Sequence, residues 1–161
     1  MQKITPFLWF NGQAEEAANF YTAVFRDAKI GSIARYGAGG PGPEGAVMTI
    51  SFELFGQNFL ALNGGPQFQF SPAVSFVINC ESQDEIDAYW DQLAEGGRKD
   101  RCGWLQDKFG LSWQIVPRNM GTLMSSGDKA KTQRVMQAMM QMDKLDMHVL
   151  QAAFDDELAA V

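Results

Sequence analysis

The chain has 161 residues, 46% of them hydrophobic and 20% charged, with a formal net charge of −6. These values describe one globular domain able to bury roughly two-thirds of its unfolded surface, and they exclude a disordered or membrane-spanning chain. The acidic balance argues against nucleic acid as a partner, because phosphate binding needs a basic face.

Only Lys3 precedes the apolar run at residues 4–10, with no h-region or cleavage site, so a cytoplasmic protein without a signal peptide is expected. No apolar run approaches the roughly 20 residues of a membrane helix. Residues 4–10 are dense in aromatic and β-branched side chains and predict a strand. Asn11 is the expected helix N-cap, and Ala14, Ala17, Ala18, Tyr21, Val24 and Phe25 recur at helical spacing to about residue 26. A short strand is expected at 29–36. The Gly/Pro stretch at 37–45 holds no regular structure and reads as an exposed loop. Residues 46–54 and 58–62 predict a hairpin, and 63–72 a linker carrying Phe68 and Phe70.

A strand at 73–79 follows. Ser82-Gln83-Asp84-Glu85 is a capping box opening a second helix, which Gly96-Gly97 ends. A very short strand is expected near 98–100, then a second hairpin from 103–107 and 112–116. Its turn, Asp107-Lys108-Phe109-Gly110, suits a type I turn with a left-handed glycine. Amphipathic helices are expected at 128–142 and 145–160, their methionines serving as adaptable packing. Cys80 and Cys102 read as reduced, partly buried thiols rather than a disulfide framework.

The chain states one pattern twice. Superposing Glu16 on Glu85 and Tyr21 on Trp90 aligns the two acidic-aromatic helices at an offset of 69 (85 − 16). Phe55-Gly56-Gln57-Asn58-Phe59-Leu60 echoes Phe109-Gly110-Leu111-Ser112-Trp113-Gln114 at an offset of 54 (109 − 55). Two copies are too few for a solenoid and predict a pseudo-symmetric α+β domain over 1–120. Copy one spans about 3–63, copy two about 72–117, and a helical extension covers 121–161.

A duplicated βαβββ unit with Phe20-Tyr21-Thr22-Ala23-Val24-Phe25 closing its first helix resembles the vicinal-oxygen-chelate superfamily of glyoxalase and bleomycin-resistance proteins. Residues 102–117, Cys102-Gly103-Trp104-Leu105-Gln106-Asp107 through Pro117, resemble its PhnB-like branch, often labelled demethylubiquinone methyltransferase-like, as does the tail at 133–142. The resemblance implies two curled, mixed or antiparallel sheets around a concave ligand cavity, and a homodimer. Metal-using members carry His, Glu or Gln at four inward positions. Matching this pattern places them on Pro6, Leu60, Ser75 and Gln114, of which only Gln114 offers even a weak ligand, so no metal and no cofactor are expected.

By the same geometry, a four-residue turn at 107–110 puts Trp104, Gln106, Ser112 and Gln114 on the inward face. It puts Ile50, Leu60, Leu62, Pro6 and Leu8 inward in copy one. A two-residue turn swaps these faces. The ligand-binding set is then Trp104, Gln106, Gln114, Ser75 and Leu60, with Phe68 and Phe70 at the mouth, for a small apolar or aromatic ligand. Against this stands the reading of Trp104 and Gln114 as sheet residues satisfied by neighbours or water. Glu53 and Asp107 read as solvated or capping, and Cys102 has no histidine to activate it.

Four functions compete. They are a metal-free small-molecule binder, a metal-dependent lyase, isomerase or dioxygenase, a methyltransferase, and an interaction module built on the methionine-rich tail. The first is the expectation.

Overall fold

The computed structural model describes residues 2–156. Its contacts divide into two units, Met1–Phe70 and Ser71–Val161. Each holds one open, mixed four-stranded sheet backed by a helix, giving the expected tandem α+β modules.

The first unit runs β1 (Phe7–Phe10), α1 (Ala14–Val24), β2 (Ala28–Arg35), β3 (Val47–Leu54) and β4 (Gln57–Asn63). Strand order is β1-β4-β3-β2, with β1 parallel to β4 and the other pairs antiparallel. Leu8, Phe10, Ile50, Phe52, Phe59 and Ala61 share one face by register and are buried. Against them lie Tyr21 of α1 and Ala14, Ala17 and Ala18, whose small side chains let the helix approach closely. Tyr21 stacks on Phe52 with centroids 5.8 Å apart.

Asn11 does not cap α1. Gly12, at φ 81°, turns the chain between Asn11 and the helix, and Gln13 at the cap position makes no side-chain bond. Asn63 replaces it from the end of β4. Its Oδ1 accepts from Ala14 N at 2.8 Å and its Nδ2 donates to the Val47 carbonyl at 3.0 Å, so one amide ties helix start to sheet.

The second unit runs β5 (Ser75–Cys80), α2 (Gln83–Leu93), β6 (Arg98–Lys99), β7 (Trp104–Gln106), β8 (Ser112–Pro117), α3 (Met120–Met124), α4 (Lys129–Met139) and α5 (Met147–Asp155). The order β5-β8-β7-β6 repeats the first sheet, with β5 parallel to β8. The very short strand expected near 98–100 is the two-residue β6. Ser82 Oγ accepts from Glu85 N at 3.2 Å, as a capping box requires. Glu85 returns its carboxylate one residue further back, to Glu81 N at 2.7 Å.

The tail packs into this second unit. Leu123, Val135, Leu145 and Leu150 form a buried cluster with Met120, Met124, Met139 and Met142 against it. Cys102 N and Gly103 N donate to the carbonyls of Met142 and Asp143 at 2.9 and 2.7 Å. Gln83 donates to the Leu145 carbonyl and accepts from Met147 N. The short α3 was not anticipated, and the end of the helix expected at 145–160 lies outside the described residues. No helix among the described residues is long and apolar enough to cross a membrane.

Candidate functional site

The second sheet carries its helix on the face of Ile78, Cys80, Leu105, Trp113 and Ile115, all buried. Alternation sends Ser75, Val77, Trp104, Gln106, Ser112 and Gln114 to the other face. The hairpin turn decides this. Gly110 at φ 88° donates to the Asp107 carbonyl at 2.9 Å, closing the four-residue turn. Trp104 therefore pairs with Gln114 and Gln106 with Ser112, and the face swap of a two-residue turn does not occur.

Asp107 holds that turn from inside. It is buried, and its Oδ1 accepts from Phe109 N and Leu111 N at 2.9 and 3.1 Å. Of the two readings open for this carboxylate, capping holds and solvation does not. Glu53 instead pairs with Lys29 at 3.1 Å on a partly exposed edge.

The helix-free face of this sheet carries no ionisable side chain at these six positions. Gln114 Nε2 donates to Ser75 Oγ at 2.9 Å, which fixes the amide and turns its carbonyl oxygen free of that bond. Beside them Ser112 is 1% exposed, and its hydroxyl has no hydrogen-bond partner among the described residues. A buried hydroxyl left unpaired costs about 1–3 kcal/mol.

In the first sheet, Phe7, Leu60 and Ser51 form one row of the helix-free face, and Trp9, Leu62 and Thr49 the next. Ile50 and Leu8, expected inward, point to α1 instead, because Ile50 pairs with Ala61 and Ala61 with Leu8. Phe68 packs edge-on to Trp9 at 4.9 Å, but Phe70 packs on Phe10 at 5.2 Å, on the helix side. The two linker aromatics therefore serve different layers, and Phe70 leaves the expected mouth.

Phe7 takes the register position expected of Pro6. Phe7 pairs with Leu60, and Gln114 with Val77. The strands are thus offset by 70 (77 − 7), whereas the helices are offset by 69 (83 − 14). The first β–α connection holds one extra residue, and Gly12 there is the sequence signal that a count through the helix passes over. The four equivalent positions become Phe7 and Leu60 in the first unit, Val77 and Gln114 in the second. Three hydrocarbons and an amide already bonded to Ser75 do not fit a divalent ion. Among the described residues no three His, Cys, Asp or Glu side chains stand close enough to hold one. Cys80 and Cys102 are free thiols.

Two tandem βαβββ modules of this topology define the vicinal-oxygen-chelate class of protein. The chain belongs to the family described as 3-demethylubiquinone-9 3-methyltransferase, whose profile matches residues 2–116. It is similar to a solved Bacillus cereus structure described as a putative 3-demethylubiquinone-9 3-methyltransferase, PhnB protein. That match has 43% identity and a TM-score of 0.67, over 72% of this chain and 99% of the other. A Pseudomonas aeruginosa protein matches at 22% identity and TM-score 0.61, over 73% and 98% of the two chains. Fosfomycin resistance protein FosX from Mesorhizobium loti shares the fold at 12% identity and TM-score 0.51, over 72% and 92%. No curated protein matches.

Proposed function

We propose that this chain is a small-molecule-binding protein that works without a metal ion, its ligand small and largely apolar or aromatic. The observation that carries this reading is the buried, unpartnered Ser112 hydroxyl on a face shared with Trp104, Gln106 and Gln114. A polar group held dry without a partner is costly unless a ligand supplies the partner. The tryptophan adds area and the amides add direction, which is the usual make-up of a small-molecule site. The donor set at Phe7, Leu60, Val77 and Gln114 supports a metal-free mode. A cytoplasmic homodimer completes the reading, and sedimentation of the purified protein tests the dimer.

The family description favours a second reading, a methyltransferase. The common methyl-donor fold needs a glycine-rich turn from a parallel strand into a helix. The glycine-rich stretch of this chain joins β2 to β3, which are antiparallel. Calorimetry with S-adenosylmethionine separates the readings, since binding at micromolar concentration would establish the second.

The deciding experiment is a thermal-shift screen of small aromatic and isoprenoid compounds and antibiotics, with and without divalent ions. The proposal expects hits that do not need the ion and that weaken in Trp104→Ala. Hits that appear only with metal present would overturn it.

A further inference from the structure

The tail contains a groove of about 710 Å³ between the end of α3 and the outward side of α4. Its lining residues all fall within 124–137, beyond the residues 2–116 that the family profile matches. None of them belongs to the sheet face that carries Ser112. From this lining we propose a binding site for an aliphatic monocarboxylate, an unbranched hydrocarbon chain with one anionic end, as in a free fatty acid.

One periodic stripe of α4 builds the groove. Lys129, Thr132, Gln133, Met136 and Gln137 recur at helical spacing, on the side away from the buried Val135. Met124, which also packs against the buried cluster of the tail, closes the opposite side, and Met136 is 40% exposed across from it. Among the described residues no aromatic ring lines the groove, so two thioethers form its apolar floor. Methionine is unbranched and flexible, and such a floor moulds to a bending hydrocarbon chain more readily than to a rigid ring. Seven residues of helical rise, about 10 Å, separate Lys129 from Met136, a span that a chain of about ten carbons covers. The volume falls within the ordinary range of ligand sites.

Charge selects the other end of the ligand. Among the described residues Lys129 is the groove's one ionic group, with no Asp or Glu beside it in the lining. The other two cations of α4 are engaged with α5. Lys131 lies over the Phe154 ring at 4.7 Å, and Arg134 donates to the carbonyls of Ala153 and Phe154. Lys129 has no ion pair among the described residues, and the amides of Gln133 and Gln137 have no hydrogen bond there. Nor does the helix need this charge, since a cation in the first turn opposes the helix dipole. One lysine matches one carboxylate. The chain's net charge of −6 disfavours an anion of higher charge.

Titration calorimetry of the full chain with decanoate below its micelle concentration tests this. Decyltrimethylammonium, the same chain with the opposite charge, is the counterpart. The overall negative charge of the protein favours the ammonium, so only a local cation reverses that order. We expect saturable binding of decanoate, about fivefold or more tighter than that of the ammonium. Lys129→Glu should weaken decanoate about tenfold or more and reverse the order, while an acid in the first turn suits α4 and keeps it folded. Met136→Ser should weaken both ligands about threefold, and Trp104→Ala should weaken neither. No saturation by decanoate at millimolar concentration would overturn the proposal. Equal or tighter binding of the ammonium would do the same, as would decanoate binding unchanged in Lys129→Glu. Loss of decanoate in Trp104→Ala would overturn it and assign the ligand to the second sheet. Cosedimentation with phosphatidylglycerol vesicles, without binding of free decanoate, would overturn it in favour of a membrane surface.

Discussion

The indole N–H of Trp113 donates to the carboxylate of Asp107 across 2.9 Å, joining the middle of β8 to the turn that precedes it. Asp107 Oδ2 takes the indole and Oδ1 takes the turn amides, so one buried side chain fixes both the loop and the strand behind it. The positions of Trp104, Gln106 and Gln114 depend on that loop. Asp107→Ala is expected to cost about 3–4 kcal/mol by urea unfolding, because several charge-assisted bonds go at once. Asp107→Asn keeps one acceptor oxygen for the turn amides but sets its NH2 against the Trp113 indole N–H, and should cost less, about 2 kcal/mol. A cost below about 0.5 kcal/mol for Asp107→Ala would show that the carboxylate holds nothing.

The Ser112 hydroxyl makes an opposite prediction for stability and for binding. Removing a buried polar group that has no partner relieves a penalty, so Ser112→Ala should raise stability by about 1 kcal/mol. The same variant should weaken any ligand found in the thermal-shift screen by about fivefold to tenfold, the worth of one hydrogen bond. A variant that loses stability with unchanged binding would show that the hydroxyl is structural.

Gly97 sits where β6 passes β7, and a Cβ there would strike the Gln106 carbonyl and the backbone of Asp107. Backbone cannot move aside as the tip of a side chain can. Gly97→Ala is therefore expected to cost about 3 kcal/mol, measured against Gly121→Ala, where a Cβ meets nothing. A melting temperature unchanged from the parent would refute the close approach.

The two thiols should differ sharply in reactivity. Burial, reinforced by the nearby charge of Glu85, pushes the Cys80 thiol up to about 12 from its ordinary 9.0. Iodoacetamide at pH 8 should label Cys102 in the native protein and both cysteines only after unfolding. Stability follows the same shift. The unfolded chain releases this proton near pH 9.0 while the folded one keeps it. The contribution of Cys80 is therefore complete below pH 9.0 and is lost as pH rises towards about 12. Cys80→Ala should flatten that alkaline decline, read from urea midpoints between pH 9 and 11.

The hairpin register was legible in sequence because Asp107 and Gly110 occupy the positions a four-residue turn demands, and alternation did the rest. The strand-one face was not, because a period counted through the helices carries no information on a residue added before them. Leu8 was placed on the wrong face by that count, and Ile50 by carrying the second hairpin's four-residue turn onto the first, where Leu54 pairs with Gln57 across only Phe55 and Gly56. Asn63 as the helix cap was hidden for another reason. Its partner lies 49 positions away, and no local pattern announces a cap supplied by another strand. The glycines at 42 and 64 looked like loop punctuation. Their purpose shows only when the rings above them, Tyr36 and Trp9, are seen.

The carbonyls of Met142 and Asp143 have a consequence for how this molecule breathes. They receive the amides of Cys102 and Gly103, so the appended segment behaves as a borrowed strand end clasping the corner before β7. Peeling it away would bare two amides and the Cys102 sulfur together. Exchange of those amides with deuterated solvent should therefore keep pace with alkylation of that cysteine, one opening event read by two clocks.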